Sequence, residues 1–67
     1  MPVVRIDVAQ GRSDECYREL IRRVSEVTAE VLETPIDRVR VVVGEVPPAH
    51  WGIGGIPLSD LREESTE

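Results

Sequence analysis

The chain contains no lysine and a single cysteine, and these scarcities narrow its options. One thiol, Cys16, cannot close an intrachain disulfide, and no cluster of cysteine and histidine surrounds it to hold zinc. No apolar run approaches the length of a membrane-spanning helix. The first apolar stretch is too short for a signal peptide and is broken by Arg5 and Asp7. With an unpaired thiol as well, the expected compartment is the cytoplasm. There is no Ser-His-Asp set, no phosphate-binding loop and no dinucleotide fingerprint, so single residues must carry any chemistry. A formal net charge of −5 argues against nucleic acid as a partner.

Sixty-seven residues make one small domain, residues 1–67. A chain of this length buries only about 60% of its unfolded surface. Its core supplies on the order of 3–5 kcal/mol, and small proteins add disulfides, metals or other subunits to that. With the first two absent from the sequence, an oligomer is expected. Residues 60–67 hold Asp60, Glu63, Glu64 and Glu67 against Arg62, which makes −3 of the total −5, and they read as a frayed acidic tail. All eight basic residues are arginine, a bias that a GC-rich genome can produce. Arginine is also the side chain that grips a planar carboxylate with two parallel hydrogen bonds.

Residues 2–8 alternate Val4, Ile6 and Val8 with Arg5 and Asp7, the period of a strand. Gln10-Gly11-Arg12 interrupts it. Ser13 then stands as an N-cap, and Asp14 and Glu15 follow in the first turn, where negative charge favours the helix dipole. From Tyr17, the positions Leu20, Ile21, Val24, Val27, Val31 and Leu32 form one stripe of an amphipathic helix. Asp14 with Arg18 and Glu19 with Arg23 stand at i, i+4 with the acid first, the favourable order. Pro35 ends the helix by Thr34. Val39–Val43 is a second strand, apolar enough to be covered on at least one face.

Two strands joined by a helix of this length make a β-α-β unit, an α/β fold with parallel strands and a right-handed crossover. Pro47-Pro48 punctuates the chain, Gly52-Ile53-Gly54-Gly55 is a turn, and residues 56–58 form a short C-terminal strand or hairpin arm. Two strands and one helix cannot bury both faces of their own sheet. The apolar surfaces must meet another subunit, a second route to the oligomer.

Pro2 follows Met1, and a small second residue normally allows the methionine to be cleaved, leaving a secondary amine. An unperturbed α-amino group titrates near about 8. Desolvation and neighbouring arginines both favour its neutral form, which suits a general base. Many proteins begin Met-Pro without such a purpose. Arg40 interrupts an apolar strand and must face an edge, a partner or a pocket, an interface ion pair being the plain alternative. Arg12 sits at a turn, where arginines are usually solvated, and Arg5 and Arg38 compete for any anion-binding role. Trp51 fits interface packing, His50 a surface position, and Cys16 a packing or partly exposed thiol.

Together, Pro2, Gly11-Arg12-Ser13-Asp14, Val39-Arg40-Val41 and Trp51-Gly52-Ile53-Gly54-Gly55 resemble the 4-oxalocrotonate tautomerase family at matching spacings over residues 2–58. The resemblance implies a β-α-β subunit in a homohexamer, a trimer of dimers, working without cofactor or metal on a small-molecule enol or dienol carboxylate such as 2-hydroxymuconate. It implies Pro2 as the base, Arg12 and Arg40 as ligands of the carboxylate and carbonyl ends, and Trp51 as an aromatic wall where the family often has Phe. Ala9-Gln10 departs from the larger apolar and acidic pair expected there. Arg38, the Pro47-Pro48-Ala49-His50 approach and the acidic tail also differ from degradative members. Two rival readings stand beside this one. The first is a dehalogenase or decarboxylase of the same superfamily, with Glu45 activating water. The second is a non-catalytic oligomeric binding protein.

Overall fold

A computed structural model of the chain describes residues 1–65, and of residues 63–65 the backbone alone. It is a β-α-β unit with a C-terminal hairpin and a second short helix. Strand β1 (Val3–Ala9) leads through the Gln10–Ser13 turn into helix α1 (Asp14–Leu32), and a single 3-10 turn, Ile36–Arg38, leads into strand β2 (Arg40–Val46). A further 3-10 turn, Pro48–His50, precedes strands β3 (Gly52–Ile53) and β4 (Ile56–Pro57) and helix α2 (Leu58–Ser65).

Local chemistry accounts for each boundary. Ser13 is extended, and its Oγ accepts from the Cys16 N–H at 3.2 Å, so the helix starts at Asp14 with Asp14 and Glu15 in its first turn. At the other end Glu33 adopts left-handed geometry (φ 52°), and the Thr34 N–H reaches back to Ala29 O at 3.0 Å. Pro35 then forbids continuation. The tight β3–β4 connection needs positive φ at both central positions, which Gly54 (60°) and Gly55 (88°) supply.

β1 and β2 pair in parallel over all seven residues, from Val3 opposite Arg40 to Ala9 opposite Val46. The second strand starts one residue later and runs three further than its apolar run predicts. Pairing with β1, rather than side-chain character, sets its length and carries it through Gly44 and Glu45. Gly44 lies opposite Asp7, and a Cβ added there would stand 3.0 Å from Asp7 Oδ1. The register assigns Val4, Ile6 and Val8 with Val41, Val43 and Glu45 to one sheet face, and Val3, Arg5 and Asp7 with Arg40 and Val42 to the other. α1 covers the first face, where those valines and Ile6 are half-buried together with Leu20, Val24 and Ala29 of the helix. The second face is open, and Val3 and Val42 on it are exposed.

Of the two i, i+4 pairs expected on α1, Glu19–Arg23 forms and Asp14–Arg18 does not; Arg22 bonds the same Glu19 Oε2 as Arg23, at 2.6 Å, and reaches Glu26 at 3.2 Å. The expected acidic tail differs over residues 60–65, which continue α2 from Leu58, while residues 66–67 lie outside the described residues. Leu58, expected to continue the hairpin arm, instead opens α2.

Among the described residues only Val39, at 8% exposure, is buried. The Cα radius of gyration is 15.5 Å, against about 11 Å for a compact chain of this length. The apolar stripe of α1 is wider than one sheet face can cover, so Ile21, Val27, Val31 and Leu32 are exposed. No helix among the described residues is long and apolar enough to cross a membrane.

Candidate active site

Pro2 immediately precedes β1, and its carbonyl accepts the Arg40 backbone N–H at 3.0 Å. The ladder therefore brings Pro2 and Arg40 together at the start of the strand pair. Pro2 is half-buried there, whereas Met1 before it is 77% exposed. The Arg40 side chain emerges on the open face, and its Nη1 donates to Asp37 O at 3.1 Å. Arg12 lies beyond the other end of β1, and its Nη1 donates to Ala9 O at 3.1 Å.

The two arginines are thus held in the same way, by one hydrogen bond to a carbonyl three residues earlier. Among the described residues neither forms an ion pair, so each keeps its charge uncompensated. Each also keeps most of its five N–H donors for a partner outside its own segment.

Arg5 shares the open face with Arg40, two positions along the ladder from Val3, and Asp7 follows it on that face. Arg38 closes the 3-10 turn with its backbone N–H on Pro35 O at 3.0 Å, and its side chain is exposed. Trp51 is half-buried. Its N–H reaches Pro48 O at 3.3 Å, and its carbonyl accepts from Leu58 N at 2.6 Å. These bonds hold it between the 3-10 turn and the start of α2, past the end of β2. His50 and Cys16 are exposed.

The four residues expected in one site thus divide into two pairs. Pro2 and Arg40 stand at the start of the parallel strands, and Arg12 and Trp51 lie beyond their ends. Seven paired residues separate the two groups, a span of about 20 Å. The described residues of one chain enclose no pocket. A single chain does not unite the two pairs around one small molecule.

Sequence reasoning missed one feature near Arg12. Tyr17, in the first turn of α1, donates its hydroxyl to Glu45 Oε2 at 2.7 Å across 28 residues of chain. The hydrogen bond to Glu45 raises the Tyr17 pKa above its ordinary value, desolvation and the Glu45 charge add to this, and the Arg12 charge opposes it. Tyr17 heads an apolar stripe with a polar tip, which is a signal for some hydrogen-bond partner but not for which one.

The profile of the tautomerase enzyme family matches residues 2–61. A 2-hydroxymuconate tautomerase of Pseudomonas putida is 49% identical over 62 residues, covering 92% of this chain and 98% of that protein. Among solved structures, a heterohexamer 4-oxalocrotonate tautomerase from Chloroflexus aurantiacus superposes with a TM-score of 0.86 at 42% identity, over 92% of this chain and 100% of that one. TomN, a 4-oxalocrotonate tautomerase homologue of the tomaymycin biosynthetic pathway, gives 0.89 at 33% identity, over 98% and 100%.

Proposed function

This chain belongs to the tautomerase enzyme family and is an isomerase of the 4-oxalocrotonate tautomerase type, and from that premise we propose that it ketonises 2-hydroxy-diene carboxylates with Pro2 as the general base. The observation that carries the reading is the pairing of Pro2 with Arg40. One ladder hydrogen bond of 3.0 Å joins them, and among the described residues the Arg40 guanidinium forms no ion pair with a carboxylate.

Removal of the exposed Met1 leaves Pro2 as a secondary amine. Cations nearby and the exclusion of water favour its neutral form. The neutral nitrogen takes the proton of the substrate's 2-hydroxyl: the O–H bond breaks, an N–H bond forms, and negative charge develops on the 2-oxygen. Arg40 meets that charge with its free N–H groups. The prolinium then gives its proton to a carbon of the diene as the 2-oxygen becomes a carbonyl. Pro2 returns to its neutral form, so the proton balance closes with no other reactant. Arg12 holds a carboxylate through paired N–H···O bonds, and Trp51 walls the site from water.

The site draws on more than one chain. The 20 Å scale of the separation between Pro2–Arg40 and Arg12–Trp51, the exposed apolar faces of the sheet and of α1, and the near absence of a core in one subunit all support this reading. A homohexamer built as a trimer of dimers satisfies them, and a hexameric assembly is named for the Chloroflexus aurantiacus relative. The compartment consistent with the unpaired Cys16 is the cytoplasm.

The rival dehalogenase or decarboxylase reading gains nothing from Glu45. Its carboxylate accepts the Tyr17 hydroxyl, and it stands opposite Val8, near the far end of the strand pair from Pro2.

Two measurements test the proposal. Intact mass is expected to lack Met1, and spectroscopic assay of 2-hydroxymuconate ketonisation is expected to lose about 100-fold or more in kcat/KM in Pro2→Ala, with the oligomer intact by size-exclusion chromatography. A wild-type rate in Pro2→Ala would refute the mechanism.

A further inference from the structure

The turn that carries Arg12 is fastened on both sides to the end of β2. On the strand side, the Gln10 N–H donates to Val46 O at 2.9 Å. On the helix side, the Tyr17 hydroxyl donates to Glu45 Oε2 at 2.7 Å. Glu45 and Val46 are adjacent, so the two fastenings close on one spot. Arg12 sits between them, with Gly11 at φ 139° providing the bend. The Cys16 and Tyr17 N–H groups both return to Ser13 O, which ties Tyr17 rigidly to the residue after Arg12.

The same arrangement settles a competition of charges. Glu45 is a carboxylate at the end of the sheet where Arg12 stands, and the Tyr17 hydroxyl lies within the field of both groups. A free carboxylate there would be drawn to Arg12 and would neutralise the guanidinium. In the structure Glu45 instead accepts from Tyr17, and Arg12 turns to Ala9 O and forms no ion pair among the described residues.

We propose that Tyr17 and Glu45 are a positioning pair for Arg12: the hydroxyl occupies the Glu45 carboxylate and pins the first turn of α1, so that the Arg12 guanidinium stays open to a carboxylate of the substrate. This rests on the reading of Arg12 as a substrate-binding residue. Neither Tyr17 nor Glu45 touches substrate; both act through Arg12. Tyr17 is therefore a determinant of affinity for carboxylate substrates rather than of the proton transfer itself.

The test compares Tyr17→Phe, Arg12→Ala and the double variant, assayed with 2-hydroxymuconate on the assembled enzyme. Tyr17→Phe removes one hydroxyl and keeps the ring, so folding and assembly are expected to persist by circular dichroism and size-exclusion chromatography. KM is expected to rise about 3- to 10-fold with kcat nearly unchanged, the scale of one lost hydrogen bond and a partly neutralised cation. In the Arg12→Ala background the same substitution is expected to change nothing further, because the residue through which it acts is gone. Adding Glu45→Gln to Tyr17→Phe is expected to restore much of the KM, since an amide cannot neutralise Arg12. That rescue separates the role from a merely structural one.

An unchanged KM in Tyr17→Phe overturns the pair while leaving Arg12 as a substrate ligand. An equal loss from Tyr17→Phe with and without Arg12 overturns it too, because the effect then does not pass through Arg12. If Arg12→Ala itself leaves KM unchanged, the reading of Arg12 fails, and the pair falls with it.

Discussion

On the exposed side of α1, Arg22 is bound by Glu19 at 2.6 Å and Glu26 at 3.2 Å, and Arg23 shares Glu19. At the ends of the strand pair, Arg12 and Arg40 each make one bond of 3.1 Å to a backbone carbonyl and no ion pair among the described residues. The side chain is the same in both places, but its electrostatic state is opposite. Helical spacing delivers carboxylates to Arg22 at three and four residues' distance, whereas a turn and a strand start deliver only carbonyls. A carbonyl orients a guanidinium without neutralising it. The comparison teaches that an arginine prepared for an anion is recognised by what restrains it, since a paired arginine has its ligand already.

Substitutions should divide along that line. Arg40→Ala is expected to have the largest effect among the arginines, about a 100-fold fall in kcat, because it removes a donor to charge that grows in the transition state. Steady-state kinetics on 2-hydroxymuconate measures it, and an unaltered kcat would remove Arg40 from the chemistry. Arg12→Ala is expected to raise KM by about 10-fold with a smaller change in kcat, the mark of binding that is uniform between ground and transition states. Arg22→Ala should leave both kinetic constants at wild-type values and lower the melting temperature only slightly, since exposed helix pairs contribute little. A kinetic effect of Arg22→Ala would erase the distinction between the two regions.

The smallest effect concerns pH. The hydrogen bonds from Arg22 and then Arg23 hold the Glu19 carboxyl below its ordinary range. Its contribution to stability is therefore present above the carboxylate's unfolded pKa and is lost as pH falls through the lowered folded value. Thermal melts across the acid range should show a slight loss that Glu19→Gln abolishes, with solvent screening keeping it small.

Much of the fold was legible because its causes are local. Ser13 before Asp14 and Glu15, the stripe from Tyr17 to Leu32 and the stop at Pro35 set α1 within a residue or two of its observed bounds. Alternation along residues 2–8 marks β1 almost in place, and the turn expected over Gly52-Ile53-Gly54-Gly55 narrows to Gly54-Gly55, because Gly52 and Ile53 pair with β4 as strand β3. The resemblance carried by Pro2, Arg12, Arg40 and Trp51 names the family, which the relatives bear out. Legibility fell where causes are distant. The extension of β2 through Gly44 and Glu45 follows from the length of β1 and from the room that Gly44 leaves for Asp7. The helical α2 was hidden because a run of acids and Ser reads as a solvated tail as easily as a helix. The Tyr17–Glu45 bond joins residues 28 apart, and nothing at either position names the other.

By itself, then, the sequence determined the periods of the elements, their caps and stops, and the supply of arginine and proline from which a base and anion ligands can be drawn. Those depend on neighbours within a few residues, which the chain order already states. Only the tertiary structure decided that Pro2 meets Arg40, that Arg12 and Trp51 stand at the opposite end of the same two strands, and that Tyr17 takes the carboxylate beside Arg12. A parallel register exists only once two strands separated by a 19-residue helix have paired, and its hydrogen bonds decide which residues share an end of the sheet.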